Sequence, residues 1–443
     1  MKKFISFLMI AGLLLPVFSC QKRERQLPIA VNVQLQFEGS AFAVEGVTVT
    51  LTDAAGTATY EAETDASGLA EFLVPAGSYS ASSVYKLTQD GERIAYNGTN
   101  ANILVAAGLE EPFIIALLKV VSQQIIIKDL YNSGCMAEDG QSAYQSDQYF
   151  VIYNNSGDPA DVSNLVFGVL APYTNVSNNA YYGEDNVLAY ENADWIPACG
   201  ALWWFQEASV TLAPYTEMVI VVAAAINHTE TNANSVDLSK ADYYWMCNAD
   251  LGQRYDMAKK YQVSENIPVT HYLTGKAFAM SPNGWPLDAS SPAFFVGKMP
   301  RAEAEPLCLN SDAYDVTAGA MFKCVHFPKA NMVDAVEVWG KGSEETGRVR
   351  FPADVNSNYV LLTPKLGYSV YRNVDKEATE ALPENAGKLV YGYTGGTEEV
   401  EGTTDPSGID AEASIANGAK IVYLDTNNSA NDFHQRKVAS LKK

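Results

Sequence analysis

The chain has 443 residues, with 30 Lys and Arg against 52 Asp and Glu, for a formal net charge of −22. That acidic excess opposes binding to nucleic acid or to a bare anionic bilayer. A content of 47% hydrophobic and 11% aromatic residues excludes a disordered chain, and at this length two or more globular domains are the default.

The first residues read as a targeting signal. Lys2 and Lys3 form a basic start, and Phe4 to Phe18 is an apolar run too short for a stable membrane span. The run ends in Val17-Phe18-Ser19-Cys20, which resembles a bacterial lipobox. The resemblance implies cleavage before Cys20 and acylation of that cysteine with palmitate-type chains. Each buried methylene contributes about 0.8 kcal/mol, so a multi-chain anchor holds firmly. Loss of residues 1–19 removes Lys2 and Lys3 and leaves 28 basic against 52 acidic residues, a net charge of −24. Gln21 stands where an aspartate would argue for inner-membrane retention, so the outer membrane is the expected address. Lys22-Arg23-Glu24-Arg25 departs from the acidic stretch usual in surface-exported lipoproteins, which leaves the cell surface and the periplasmic face both open. Residues 20–28 form the tether.

Beyond Cys20 there are five cysteines, Cys135, Cys199, Cys247, Cys308 and Cys324. An odd number leaves at least one unpaired, and Cys308 with Cys324 is the closest pair and the first to test. No C-x-x-C occurs, which argues against a zinc ribbon or thioredoxin-type chemistry.

Residues 29–119 read as a small all-β domain. Val31-Val33-Leu35-Phe37 and Val47-Val49-Leu51 alternate with polar residues, the pattern of half-buried strands. Thr64-Asp65-x-x-Gly68 and Pro75-x-Gly77-x-Tyr79 are turns that feed further strands. Together these motifs resemble a transthyretin-like or carboxypeptidase-regulatory-like immunoglobulin-like sandwich, a type of module that implies a spacer or docking role.

The second domain, residues 120–443, is organised around Ile125 to Tyr153, two strand-like runs joined by a polar loop. In the second run Tyr149, Val151 and Tyr153 share one face, and Phe150 and Ile152 the other, so the strand is expected to be covered on both sides. Asp161-Val162-Ser163-Asn164-Leu165, Val210-Thr211-Leu212, Val219 to Val222, Asp334 to Trp339 and Gly367 to Arg372 follow. This order resembles a lamin-tail-like β-sandwich with long loop insertions at about 171–209 and 225–330. Residues 391–418 are expected to be a mobile loop before a strand over 419–424. With Gly408 to Ala413 and Tyr423 to Ser429 added, the chain is similar to a family of Bacteroidetes cell-envelope lipoproteins, domain of unknown function 4876. That similarity implies an accessory role beside a TonB-dependent outer-membrane transporter.

Loops on a rigid sandwich carry most binding work. The insertions place Tyr181, Tyr182, Trp195, Trp203, Trp204, Trp245 and Trp285 among asparagines and aspartates, a composition suited to a glycan or other flat ligand. The alternative is that the rings fill cores beneath the loops. Trp203 and Trp204 must point opposite ways in an extended segment, so one of them at least is expected to be buried. His228, His271, His326 and His434 lie far apart, and no H-E-x-x-H, P-loop, G-x-S-x-G or G-x-G-x-x-G pattern occurs. No cofactor is implied. Glu138-Asp139-Gly140 and Asp405 to Glu412 have the oxygen chemistry for calcium without the spacing of an EF-hand. The basic end from Arg436 to Lys443 is expected to be disordered, with contact to lipid head groups as the alternative. The reading is an all-β, non-catalytic, lipid-anchored protein of the outer membrane that serves nutrient uptake. Glycan binding or adhesion and a purely structural envelope role are the alternatives.

Overall fold

The computed structural model describes residues 28–89, 92–109, 111–246, 264–278, 287–319, 322–397 and 403–442. Cys20, Cys247 and Trp285 lie outside the described residues. Strands account for 42% of the structure and helices for 10%, which makes the protein all-β. The chain forms two compact units: residues up to Ser82 with Thr99–Ala116, and Ser83–Gly98 with Leu117 onward. The ends of the long strands Gly77–Gln89 and Glu92–Val105 thus fall with the second unit rather than the first.

In the first unit the alternation legible in the sequence becomes the core. Strand Ile29–Phe37 buries Val31, Val33 and Leu35, and Thr48–Asp53 buries Val49 and Leu51. Leu69–Val74 pairs antiparallel with Ile29–Phe37 and adds Ala70, Phe72 and Val74. The turn before it needs Gly68 at φ +78°, where a β-carbon would also collide with the Phe42 carbonyl oxygen. Tyr79 is buried and donates its hydroxyl to the Pro75 carbonyl at 2.9 Å.

The second unit contains a six-stranded sheet in the order Tyr244–Trp245, Glu217–Val221, Tyr149–Asn154, Ile125–Tyr131, Ser369–Arg372, Phe433–Arg436. The Tyr149–Asn154 strand lies inside this sheet and is buried at every position. Phe150 and Ile152 enter the central core, while Tyr149 and Val151, and then Tyr153, enter two smaller cores on the other face. Its neighbour carries a bulge. Val151 pairs with Asp129 but Ile152 with Ile127, so Lys128 is the extra residue. The bulge shifts the phase of the strand, and Ile125, Ile127 and Leu130 all reach the central core.

A seven-stranded sheet supplies the facing wall. Its order is Leu273–Ala277, Trp195–Phe205, Leu165–Leu170, Ala293–Lys298, Met332–Gly340, Val360–Leu362, with Cys324–Pro328 also paired to Trp195–Phe205. Here the expected loop insertions need correction, because 171–209 and 225–330 supply four of these strands. Trp195–Phe205 is 11 residues long and nearly all buried, since core layers cover both of its faces.

Three further expectations are corrected nearer the C-terminus. Beside the undescribed residues 398–402, the 391–418 stretch holds a bridge between Tyr391 and Ile409 and a helix, Ala411–Ala416, capped by the Asp410 carboxylate. Residues 419–424 make one isolated bridge, Val374 to Tyr423, instead of a strand ladder. The basic end is docked rather than disordered. Ser440 donates to the buried Asp129, Ala439 is buried, and the Lys442 ammonium reaches the Asn234 carbonyl at 2.7 Å.

Candidate functional site

The aromatic residues singled out in the sequence separate into distinct places. Trp203 points into the central core and Trp204 into the layer on the opposite face of the same strand. Trp245 packs behind the six-stranded sheet with its indole N–H on the Ala223 carbonyl at 2.6 Å. Tyr181 is 2% exposed and donates to Asp315 Oδ2 at 3.0 Å. A ring so enclosed presents no face to a sugar. Tyr182 and Trp195 are half-buried. Tyr182 bonds the Val349 carbonyl and carries the Arg348 guanidinium over its ring at 5.1 Å. Trp195 is stacked on His326, centroids 3.4 Å apart and planes 6° from parallel.

Cys308 and Cys324, the closest pair in sequence, are not bridged; Cys135, Cys199, Cys308 and Cys324 are all free and buried. Cys308 lies on the helix Arg301–Leu309, whereas Cys324 lies opposite Cys199 on the neighbouring strand.

The histidines are each tied into the scaffold. His228 is fully buried between the Tyr144 hydroxyl at 2.7 Å and the Ala224 carbonyl at 2.8 Å, and burial depresses its pKa. His434 donates Nδ1–H to Asn373 Oδ1 and accepts from the Tyr393 hydroxyl, both at 2.7 Å; burial pushes its pKa down to about 3, so the ring is neutral. His271 stacks on Tyr244, and His326 reaches Asp315 Oδ2 at 3.1 Å.

The acidic loops use their oxygens internally. Asp139 accepts from the Gln141 and Ser142 amides and the Ser142 hydroxyl, which hold its carboxyl down to about 2. Asp405 accepts from the Val374 and Ser407 amides, and Asp410 caps its helix. Among the described residues no group of three or more His, Cys, Asp or Glu is placed to hold a metal ion.

Three charged clusters were not singled out by sequence reasoning. The bulged Lys128 is wholly buried, 2.5 Å from Glu217 and 2.8 Å from Glu412, and the rings of Tyr153, Tyr371 and Tyr423 stand about it at 5.6–6.0 Å. Burial opposes its charge, but Tyr423, Glu412 and Glu217 outweigh that and hold its pKa above the ordinary lysine value. Glu337 and Arg350 form a fully buried pair at 2.6 Å, and the guanidinium also donates to the carbonyls of Pro172, Tyr173 and Ser291. Arg372 faces three carboxylates: Asp334 in direct contact, Asp425 at 3.5 Å and Asp432 at 3.8 Å. One guanidinium cannot neutralise three buried carboxylates. Burial pushes Asp334 up to about 7 and Asp432 to about 6. The signal in the sequence was a lone cation inside an apolar strand, as in Ile125-Ile126-Ile127-Lys128 and Val370-Tyr371-Arg372.

Asp425 also lines a cleft of about 280 Å³ with Lys86, Arg93, Asp375, Glu377 and Thr426. Lys86 bonds Asp375 at 3.1 Å, and Arg93 donates to the carbonyls of Asn155 and Tyr423. Leu87, Ile94, Ala95 and Leu424 line the cleft beside these charges, and among the described residues its lining contains no aromatic ring.

No curated protein matches the chain. The structure is similar to a DUF4876 family protein from Bacteroides thetaiotaomicron VPI-5482, at 18% identity over 92% of this chain and 95% of that one, with a TM-score of 0.51; this likeness shows the fold alone. A DUF3823 family protein from Parabacteroides merdae ATCC 43184 matches at 8% identity over 70% of this chain and 98% of that one, and its TM-score of 0.15 supports no argument. The sequence model of DUF4876, described as a protein of unknown function, matches residues 213–440, just over half of the 443 residues, and the chain belongs to that family.

Proposed function

We propose that this protein is a lipid-anchored, non-catalytic component of the outer membrane that serves a TonB-dependent uptake system by docking its transporter or handing it a nutrient. The observation that carries the reading is Cys20 directly after Val17-Phe18-Ser19, a lipobox-like run behind a short basic and apolar leader. Two kinds of contact support the absence of catalysis. The four histidines are engaged with tyrosines, carbonyls, an asparagine and an aspartate of the scaffold, and the buried Lys128 and Arg350 are closed inside ion pairs. A doubly covered sandwich suits docking, because its rigid strands hold the connecting loops in place. The aromatic-ligand alternative narrows to Trp195 and Tyr182, since the other described rings named for it are buried.

The test begins with Cys20→Ala, which should abolish incorporation of labelled palmitate and release the protein from the membrane fraction. A pull-down of the acylated protein from gently solubilised native membranes, read by mass spectrometry, should recover one outer-membrane transporter in near-equal amount. An acylated protein that brings down no transporter would overturn the uptake assignment and leave the anchor standing.

A further inference from the structure

The residue opposite Cys324 on the neighbouring strand is Cys199. Which kind of pair they form follows from the surrounding hydrogen bonds. In an antiparallel ladder, opposed residues either exchange two backbone hydrogen bonds or exchange none, and the second kind brings the Cα atoms to about 4.5 Å with the side chains closest. The Gly200 amide bonds the Lys323 carbonyl and the Lys329 amide bonds the Asp194 carbonyl, so the bonded pairs are 200 with 323 and 194 with 329. Counting along the register, Cys199 with Cys324 falls on a non-bonded position, as does Pro197 with His326, where a proline loses no bond to that strand. The amide and carbonyl of Cys324 confirm this, because both are used on the other side by Asp315. A Cα separation of that size lies within the 4.4–6.8 Å range of disulfides. Both side chains are fully buried in the same core layer, and the Cys324 thiol donates to the Phe322 carbonyl at 3.2 Å.

We infer that Cys199 and Cys324 are a cross-strand disulfide site, closed during folding by a dithiol–disulfide exchange reagent of the oxidising envelope. The inference rests on the envelope placement proposed above. A thiolate of one cysteine attacks a sulfur of the donor disulfide, one donor thiolate leaves, and a mixed disulfide forms. The second cysteine then attacks the protein sulfur of that mixed disulfide and expels the remaining donor thiolate. The two cysteines together lose two protons and two electrons, and the donor is reduced to its dithiol.

Both cysteines are 0% exposed, so the exchange takes place before the sheet closes. A chain that folds before the exchange keeps Cys324 protonated and unreactive, because its Cys199 neighbour and burial both push its pKa up. The bridge closes a loop of some 125 residues and staples the edge strand Cys324–Pro328, which carries His326 of the Trp195 stack, to the central Trp195–Phe205 strand.

The test uses the acylated chain extracted in detergent, unfolded in urea with reductant, and refolded against glutathione disulfide. Unreduced peptides mapped by mass spectrometry should show the Cys199 and Cys324 peptides joined. Reduction should then lower the thermal midpoint by several degrees in the wild type and leave it unmoved in Cys199→Ala. A refolded protein with both thiols alkylatable in denaturant, or with either joined to a different cysteine, would overturn the pairing. The same map on protein taken directly from membranes should show the bridge, and free thiols in that anchored protein would overturn its formation in the cell. Free thiols in protein recovered from the cytosolic fraction would instead count against the envelope placement, and the refolding result judges the pairing independently of it.

Discussion

Glu337 and Arg350 show how much depends on a single buried group. Both are fully enclosed, and the guanidinium satisfies its donors on the Glu337 carboxylate and three loop carbonyls. Breaking such a pair leaves an uncompensated charge in a dry interior. Arg350→Met is therefore expected to destabilise the protein by roughly 3–5 kcal/mol in urea unfolding. The double variant Glu337→Gln with Arg350→Met should recover part of that loss. The aromatic residues obey the same logic of enclosure. Trp203→Ala should cost about 3–5 kcal/mol, as expected for emptying a core site. Trp195→Ala, at a half-buried ring stacked on an exposed histidine, should cost clearly less in the same titration. Equal losses would mean that the Trp195 ring is as much a part of the core as Trp203.

At the scale of elements, strands earn their positions through what faces them. Trp203 stands opposite Gly275 on the next strand, and a β-carbon at Gly275 would meet the indole ring at 2.6–2.9 Å. The ring occupies the space that the missing side chain leaves. Gly275→Ala should accordingly destabilise by about 1–3 kcal/mol, the usual cost of overpacking, read as a fall in the urea midpoint with unchanged slope. The bulge at Lys128 is a second case. Without it, the two-residue period that brings Ile125 and Ile127 inward would also bring in Asp129 and Tyr131. With the extra residue, Leu130 takes the inward position and Asp129 turns outward to Tyr149 and Ser440. A run of three isoleucines followed by Lys-Asp-Leu-Tyr marks a strand plainly, but the place of its phase change is set by the partner strands.

For the whole molecule, buried carboxylates make stability depend on pH in an unusual direction. Asp147 is buried against Tyr131, Cys135 and Ser235, and burial pushes its carboxyl from 3.8 up to about 6. A carboxyl whose folded pKa is raised binds its proton more tightly in the folded state. Its contribution is fully present below the unfolded pKa and is lost as pH rises through the folded one. Relative to Asp147→Asn, the wild type should lose about 3 kcal/mol as pH rises from about 4 to beyond 6, by the two-unit shift. Urea midpoints of both proteins across that range check this, and a constant gap between them would contradict it. Asp334 and Asp432 beside Arg372 act in the same direction, whereas His434 acts against them, since a depressed imidazole pKa favours the folded state as pH rises.

The sequence by itself determined the all-β class, the doubly covered Tyr149–Asn154 strand and the alternating strands of the first unit. Each of these is a local pattern, a matter of which residues two apart are apolar. The opposed directions of Trp203 and Trp204 were legible for the same reason, although not the burial of both. Only the tertiary structure decided that the supposed insertions supply four strands of the seven-stranded sheet, because a strand beside loop-like, asparagine-rich sequence reads like a loop until its two covering layers are in place. It also decided the partners of Lys128, Arg350, Arg372 and Cys199, which lie 89, 13, 38 and 125 positions away from Glu217, Glu337, Asp334 and Cys324. Pairing at such separations depends on how strands are ordered across a sheet, and no periodicity along the chain encodes that order.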